Sequence, residues 1–234
     1  MPKTAAVSRL FCLILIILTN VAGAAEAPAA RILVLARHGH YEADANADPK
    51  LGPGLSPLGI AQSQLLGARL AGLPQPFDRM LVSPLTRAQE TARVVAADLP
   101  KVERVDIPEL AECTPPTRRE EAVAGIPIDE QKACAAQLDK LFAEHFRPAT
   151  GHERRELLVC HGNVIRYLIT KALHVDSKAW LELSVGHTSL TTIRVEADGS
   201  YRLIAAGDVG HLPPNLLTGA LGDAERKLVV PAAR

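Results

Sequence analysis

A cluster of basic side chains directly follows an aliphatic run near the start of the chain. Residues 32–36, "ILVLA", precede Arg37, His38, Gly39 and His40. An arginine can donate paired N–H groups to an anion. A neutral histidine, whose pKa ordinarily lies near about 6.5, can act as a nucleophile or an acid–base group at neutral pH. The end of a buried strand therefore carries residues suited to binding and attacking an anionic substrate.

Two further aliphatic runs end in the same way. "MLVSPLTR" leads into a predicted helix with Arg87 in its first turn, and "ELLVCHGN" leads into another directly after His161. Ligands of open α/β sheets bind beyond the carboxyl ends of the strands, so we expect these strand ends to meet at one site. The positive charge of an arginine in the first turn of a helix is unfavourable beside the positive end of the helix dipole. Binding of an anion therefore accounts for Arg87 better than stabilisation of its own helix does. A phosphate held by Arg37, Arg87, His38 and His161 fits this set.

Transfer of a phosphoryl group also requires an acid for the leaving group. The predicted strand that ends near Ile107 delivers the segment "PELAECTPP" to the same edge of the sheet. We choose Glu112 as the proton donor, because it lies deeper in this loop than its competitor Glu109. A neighbouring phosphate raises the pKa of a carboxyl group, which suits a general acid, although nearby arginines oppose that shift.

The elements that must position these residues alternate between strands and helices. The chain has 234 residues, 47% of them hydrophobic, which suits one sizeable domain. Basic and acidic residues balance at 26 each, so bulk charge does not point to nucleic acid. Strands are predicted at 32–36, 80–83, 102–107, 156–160, 189–195 and 201–206, and helices at 57–73, 84–99, 130–146 and 163–173. This alternation predicts a layered α/β sheet.

Two of the predicted helices begin with a Ser-Pro pair. Ser56 precedes Pro57, and Ser83 precedes Pro84. Serine is a favoured N-cap and proline a favoured first helical residue. We therefore interpret both serines as helix caps.

The first 27 residues resemble a targeting segment and are not expected to belong to the domain. Lys3 and Arg9 precede an apolar stretch at 10–18, and small residues in "VAGAAEA" offer cleavage frames. We predict a signal peptide or an N-terminal anchor at 1–27 and a single domain at 28–234. The expected location is the periplasm after export, or the membrane if the segment is uncleaved.

Three cysteines follow that segment: Cys113, Cys134 and Cys160. An odd number allows one disulfide and one free thiol, or three thiols. Cys160 ends an apolar run and is expected to be a buried thiol. Cys113 with Cys134 is the one pairing that the sequence makes worth testing.

Five segments together resemble the histidine phosphatase superfamily, also called the phosphoglycerate-mutase-like fold. They are "LARHGHYEAD", "LSPLGIAQ", "VSPLTRAQETA", "LAEC" and "VCHGNVIRYLITKAL", and their order makes the resemblance specific. Within that superfamily, "CHGNVIRYLITKAL", "WLELSVGHTSLT" and "GDVGHLPPN" resemble mitochondrial Ser/Thr protein phosphatases. The resemblance extends over about residues 31–217. It implies a three-layer α/β sandwich with a mostly parallel central sheet flanked by helices.

The resemblance also implies roles for the candidate residues. His38 would be the phosphorylated nucleophile, Glu112 the proton donor, and Arg37, Arg87 and His161 the rest of the phosphate pocket. No metal ion and no cofactor would be required. The segment at 99–112 is too short for the lid of a mutase, so a phosphoric monoester hydrolase is favoured. The expected partner is a phosphorylated small molecule or a phosphoprotein; we expect no nucleic acid, and a membrane only if the N-terminal segment is uncleaved.

The rim of the pocket departs from the family pattern. The superfamily usually has Glu or Gln after Arg-His-Gly, whereas this chain has His40. His40 and Asn163 are candidate substrate-binding residues, although His40 could equally face solvent and Asn163 could simply begin a helix. His187 is expected to be an ordinary loop residue. It could still contact the pocket, because the family places a polar residue near that position.

Other functions are alternatives to a phosphoric monoester hydrolase. His38, His40 and His161 could hold zinc in a metallohydrolase, although Arg37 would repel the ion and no carboxylate has suitable spacing. A non-catalytic module could use the same pocket to recognise phosphorylated partners. An exported phosphosugar or lipid-phosphate phosphatase is a further alternative, and a phosphoglycerate-type mutase a weaker one.

Overall fold

The computed structural model describes Met1 and residues 26–219. The predicted signal peptide or anchor at 1–27 lies outside the described residues, apart from its first residue and its last two. Within the described part, no helix is long and apolar enough to cross a membrane.

The described part contains eight strands: β1 (Pro28–Ala29), β2 (Arg31–Arg37), β3 (Arg79–Val82), β4 (Glu103–Asp106), β5 (Ala149–Thr150), β6 (Arg154–Cys160), β7 (Leu190–Val195) and β8 (Tyr201–Asp208). Six of them form one mixed sheet in the order β4-β3-β6-β2-β7-β8, and β1 and β5 form a separate antiparallel pair. Neighbouring strands from β4 to β2 are parallel, β7 is antiparallel to β2, and β8 is antiparallel to β7. The predicted parallel core of the sheet is confirmed.

Helices cover both faces of this sheet. They are α1 (Pro57–Ala71), α2 (Thr86–Ala96), α3 (Ile128–His145) and α4 (Gly162–Ala172). In β2, Leu33 and Leu35 pack into one hydrophobic cluster with α3 and α4, whereas Val34 and Ala36 pack into a second cluster with α1 and α2. This alternation buries both faces of the strand. The three-layer α/β architecture predicted from the sequence is therefore confirmed.

The two Ser-Pro pairs behave differently. Ser56 caps α1, and its Oγ accepts a hydrogen bond from the N–H of Gly59 at 3.1 Å, as predicted. Ser83 does not cap α2, because that helix begins at Thr86 with Leu85 as an N-cap that makes no side-chain bond. The Ser83 hydroxyl instead lies 2.6 Å from His161 Nε2. The interpretation of Ser83 as a helix cap is therefore wrong, because its hydroxyl is hydrogen-bonded to the buried imidazole of His161.

A disulfide links Cys113 to Cys134 and joins the loop after β4 to α3. Cys160, at the end of β6, is a free and buried thiol, and burial raises its pKa. The predicted buried thiol at Cys160 is confirmed, and the pairing of Cys113 with Cys134, which the sequence left open, is formed. The disulfide attaches the segment that carries Glu112 to the helical layer.

The first turn of α1 packs directly against the backbone that follows β2. A Cβ atom placed on Gly59 would lie 2.0 Å from the carbonyl oxygen of His40, and one placed on Gly39 would lie 2.6 Å from the carbonyl oxygen of Gly59. Real Cβ atoms do not approach this closely. The two glycines therefore set how closely the helix approaches the loop that begins at His38.

The substitution Gly59→Ala should destabilise the protein by about 2 kcal/mol, since the clash with backbone outweighs the helix propensity gain of about 1 kcal/mol. Urea unfolding at neutral pH measures the change. Gly125→Ala is the matched control, because nothing lies within 4 Å of its added Cβ, and it should change stability by less than about 0.5 kcal/mol. Equal urea concentrations at the unfolding midpoints of the two variants would show that a Cβ atom at Gly59 does not clash with the loop after β2.

Candidate active site

The carboxyl ends of three adjacent parallel strands bring the predicted site residues together. In the sheet register Arg37 of β2 lies beside Cys160 of β6, and Val82 of β3 lies beside Val159. The residues that follow these strands therefore project from one edge. The imidazole rings of His38 and His161 lie 5.0 Å apart between their centroids.

His38 is 1% exposed, and its environment determines which nitrogen is protonated. Nδ1 lies 2.8 Å from the carbonyl oxygen of Gly39, which can only accept, so Nδ1 carries the proton. Nε2 then has the lone pair, and Arg87 Nε donates to it at 3.2 Å. Burial and the positive charges of Arg37 and Arg87 lower the pKa of His38 well below its usual value. A neutral imidazole with its lone pair on Nε2 is a competent nucleophile.

Two arginines surround this nitrogen. Arg37 Nη1 donates to the carbonyl oxygens of Val185 and Gly219, at 2.8 and 3.2 Å. Its Nε is buried and has no hydrogen-bond partner within residues 26–219. Burial lowers the pKa of Arg37 to about 10, which leaves the group charged at neutral pH. The guanidinium of Arg87 lies 4.9 Å from the centre of the Tyr41 ring. The arrangement favours an anion beside His38.

His161 is the N-cap residue of α4 and is fully buried. The Ser83 hydroxyl holds its Nε2, while its Nδ1 lies 3.8 Å from Glu112 Oε2. Burial lowers the pKa of His161 well below its usual value, and the charges of Arg87 and Arg37 lower it further. His161 is therefore a neutral group placed between the nucleophile and the carboxyl group.

Glu112 lies at the pocket, and its competitor Glu109 does not. Glu112 Oε1 accepts a hydrogen bond from the backbone N–H of Asn163 at 3.1 Å. Burial raises the pKa of Glu112, although the charges of Arg87 and Arg37 oppose the shift. Its side chain is 25% exposed, so it borders solvent. Glu109 is directed to Lys140, with Oε1 2.6 Å from Nζ.

The two rim candidates are held by other protein groups. His40 is 5% exposed, and its Nδ1 lies 2.8 Å from the Ser56 hydroxyl. The amide of Asn163 donates to the Cys113 carbonyl at 3.0 Å and accepts from Arg166 at 2.5 Å. His40 does not face solvent, and Asn163 fastens the Glu112 loop to α4. That either residue binds substrate stays a prediction.

Four residues outside the predicted site border the pocket: Ser83, Tyr41, Arg166 and His187. The sequence left a pocket contact open for Ser83 and His187 but did not favour it. Tyr41 and His187 each have a ring centroid 5.4 Å from that of His38. Charge interactions link Arg166 to Glu112 and to Arg37. Ser83 directly follows β3, just as His38 follows β2 and His161 follows β6, and this signal could have found it. The other three reach the pocket only through the tertiary fold.

One group of side chains has the spacing to hold a cation. Within the described ranges, ligand atoms of His38, His161 and Glu112 all lie within 4.8 Å of one another. This group contains Glu112 in place of His40, so it differs from the zinc site considered from the sequence. Arg87 Nε donates to His38 Nε2, and Arg37 adds a second positive charge. Both arginines oppose binding of a cation at this position.

A family model gives the comparison that decides the classification. The model of the histidine phosphatase superfamily (branch 1) matches residues 33–117 and 129–206. The chain belongs to the histidine phosphatase superfamily. The resemblance stated from the sequence is therefore confirmed.

Curated relatives of this histidine phosphatase carry phosphatase names. The mitochondrial serine/threonine-protein phosphatase Pgam5 of Caenorhabditis elegans is 36% identical over 198 residues, covering 82% of this chain and 68% of the relative. The human mitochondrial PGAM5 is 31% identical, with the same coverage. The chain is therefore a phosphatase. These relatives do not favour the mutase, phosphosugar or lipid-phosphate enzyme, or non-catalytic module.

Solved structures confirm the phosphoglycerate-mutase-like fold. The alpha-ribazole phosphatase of Shigella flexneri aligns with a TM-score of 0.62 at 23% identity, covering 76% of this chain and 96% of that one. The phosphoglycerate mutase of Plasmodium falciparum aligns with a TM-score of 0.56 at 23% identity, covering 80% and 96%. At this identity the likeness shows the fold alone.

The prediction of export to the periplasm by a signal peptide is wrong by this comparison. The curated relatives from Caenorhabditis elegans, mouse and human are mitochondrial by name. That prediction is based on a charged start, an apolar stretch and small residues that offer cleavage frames, and several kinds of targeting segment share features of this pattern.

The buried histidines should make the phosphatase less stable in acid. Burial and the charge of Arg37 lower the pKa of His187 to about 2. The ordinary pKa of a histidine is about 6.5. As pH falls below it, His187 becomes protonated in the unfolded chain but stays neutral in the folded protein, so folding stability falls. Between about pH 6.5 and pH 5, the wild type should lose about 2 kcal/mol more than His187→Asn.

Urea unfolding of both proteins at the two pH values measures this difference. Glu112, whose raised pKa works in the opposite direction, is present in both proteins, so the comparison isolates His187. Parallel losses of stability in the two proteins would show that His187 takes up its proton normally when folded.

Proposed function

We propose that this phosphatase hydrolyses phosphoserine and phosphothreonine esters of proteins through a phosphohistidine on His38, without a metal ion. The observation that carries the proposal is the orientation of His38. Its protonated Nδ1 is held by the Gly39 carbonyl, and its Nε2 lone pair is directed among the arginines. The name of the curated relatives supports the substrate class.

In the first step, His38 Nε2 attacks phosphorus while the bond to the ester oxygen breaks. The guanidinium of Arg87 turns from Nε2 to a phosphoryl oxygen, and Arg37 and His161 donate to the others. Donors that are already in place stabilise the charge that develops in the transition state, each by about 3 kcal/mol. Glu112, with its pKa raised by burial, gives its proton to the departing alkoxide.

In the second step, water attacks the phosphohistidine. The Glu112 carboxylate takes a proton from this water as its oxygen bonds to phosphorus. The P–N bond breaks, and the electron pair returns to Nε2, so His38 becomes neutral again. Inorganic phosphate leaves, and Glu112 is protonated as at the start. The cycle needs no metal ion and no cofactor.

The position of Glu112 supports a protein substrate. The acid must contact the ester oxygen, so the leaving group extends from the buried nucleophile towards Glu112. The Glu112 side chain is 25% exposed, whereas His38 is 1% exposed. The leaving group therefore lies towards solvent, where a side chain that belongs to a polypeptide can be accommodated.

A trapping experiment tests the nucleophile. Brief reaction with a radiolabelled phosphoserine peptide, quenched in alkali because phosphohistidine is acid-labile, should label wild type on His38. His38→Ala should lose at least about a thousandfold in kcat/KM. Activity of the wild type should persist in EDTA. Label on another residue, or loss of activity in EDTA, would sink the mechanism.

A comparison of leaving groups tests the proton donor. Glu112→Gln should reduce kcat/KM at least about 100-fold on a phosphoserine peptide but less than about tenfold on p-nitrophenyl phosphate, whose phenolate leaves without a proton. Glu109→Gln is the matched control, since its carboxylate is directed to Lys140, and it should leave both rates unchanged. Equal losses on both substrates would mean that Glu112 is not the acid.

A further inference from the structure

The loop before β7 is fastened to the end of β2, and this places His187 above the nucleophile. The N–H of Thr188 donates to the carbonyl oxygens of Arg37 and His38, at 3.1 and 3.3 Å. Thr188 has φ of 54°, a left-handed conformation that is costly for a β-branched residue. Strain of this kind persists where the surroundings demand it, and it is frequent at functional sites.

His187 is buried at 7% exposure among the pocket histidines. Its ring centroid lies 5.4 Å from those of both His38 and His40. Its Nδ1 lies 2.9 Å from Thr218 Oγ1. Its Nε2 is buried and has no hydrogen-bond partner among the residues that the structure describes. An unpaired buried polar atom costs about 1–3 kcal/mol, so its retention calls for an explanation.

A chain of hydrogen bonds runs from the backbone of His40 through Gln62 to the Thr218 hydroxyl. The backbone N–H of His40 donates to Gln62 Oε1 at 2.8 Å, which fixes the orientation of the Gln62 amide. Gln62 Nε2 therefore donates to the Leu216 carbonyl at 2.7 Å and to Thr218 Oγ1 at 2.9 Å. The Thr218 oxygen already accepts a hydrogen bond, and its own proton can be donated to His187 Nδ1.

In this arrangement Nδ1 of His187 can accept from the Thr218 hydroxyl, and a neutral ring then carries its hydrogen on Nε2. Burial and the charge of Arg37 keep the ring neutral at physiological pH, since they lower its pKa to about 2. His187 thus presents a neutral N–H donor in the pocket that contains His38, Arg37 and Arg87.

We propose that His187 is a substrate-binding residue whose Nε2–H donates to an oxygen of the phosphoryl group, and that Thr218 and Gln62 are positioning residues that hold it in the donor tautomer. This inference rests on the proposed function, because it assumes that the phosphoryl group is bound beside His38. An anionic oxygen satisfies the buried donor. A neutral donor also contributes without placing a further positive charge beside His38.

Variants of His187 test the contact with phosphate. His187→Phe keeps a ring but removes the donor, and it should weaken competitive inhibition by inorganic phosphate and lower the rate of His38 phosphorylation, each by roughly tenfold to 100-fold. His187→Gln supplies an amide N–H at a similar position and should recover part of the loss. Unchanged inhibition and unchanged phosphorylation in a folded His187→Phe variant would overturn the proposal.

Variants of Thr218 test the positioning role. Thr218→Val keeps the shape but loses the hydroxyl, whereas Thr218→Ser keeps it and should retain most of the activity that Thr218→Val loses. NMR of histidine labelled with ¹⁵N should show the Nε2–H tautomer for His187 in the wild type and Thr218→Ser, and a shift from it in Thr218→Val. An Nδ1–H tautomer in the wild type would overturn the proposal, even if His187→Phe failed to fold.

The outcomes separate this proposal from the proposed function. If the wild type forms phosphohistidine on His38 while His187→Phe binds inorganic phosphate normally, only the role of His187 falls. If the wild type forms no phosphohistidine but His187→Phe still weakens phosphate inhibition, the covalent mechanism falls and the phosphate contact stands.

Discussion

The chemistry of this site depends on keeping one imidazole neutral among positive charges. In the proposed reaction, His38 needs a lone pair at Nε2, and the charges of Arg37 and Arg87 lie close enough to act on its imidazole. The hydrogen bond from Nδ1 to the Gly39 carbonyl determines which nitrogen holds the proton. Burial and the two cations then penalise a second proton. In the proposed mechanism, the charges that bind phosphate are therefore also the charges that keep His38 neutral.

The rest of the fold maintains this environment. Parallel strands β3, β6 and β2 are adjacent, so the residues that follow them converge without long loops. The lack of side chains at Gly39 and Gly59 allows α1 to pack closely against the loop after β2. On the other side, the disulfide at Cys113 and the amide of Asn163 hold the loop that carries Glu112. These two links tie the Glu112 loop to α3 and α4.

Sequence and structure disagree where a side chain has a partner that is distant along the chain. Ser83 was expected to cap a helix, but a buried imidazole 78 positions away is a stronger partner for its hydroxyl than a solvated helix end. His187 appeared to be an ordinary loop residue, yet hydrogen bonds to the end of β2 bring its loop over His38. The segment at 1–27 lies outside the described residues, apart from Met1 and its last two residues, and the named relatives corrected its interpretation.

The sequence alone was enough to predict the six strands of the main sheet, the four helices and the family. It also gave His38, Arg37, Arg87, His161 and Glu112 as candidate site residues. It could do so because hydrophobic periodicity and residues at strand ends are local properties of the chain. Only the tertiary structure decided the protonation pattern of the histidines, the choice of Glu112 over Glu109 at the pocket, and the arrival of His187 and Thr218 beside His38. These features depend on burial and on hydrogen bonds between segments far apart in the chain, and no local pattern encodes them.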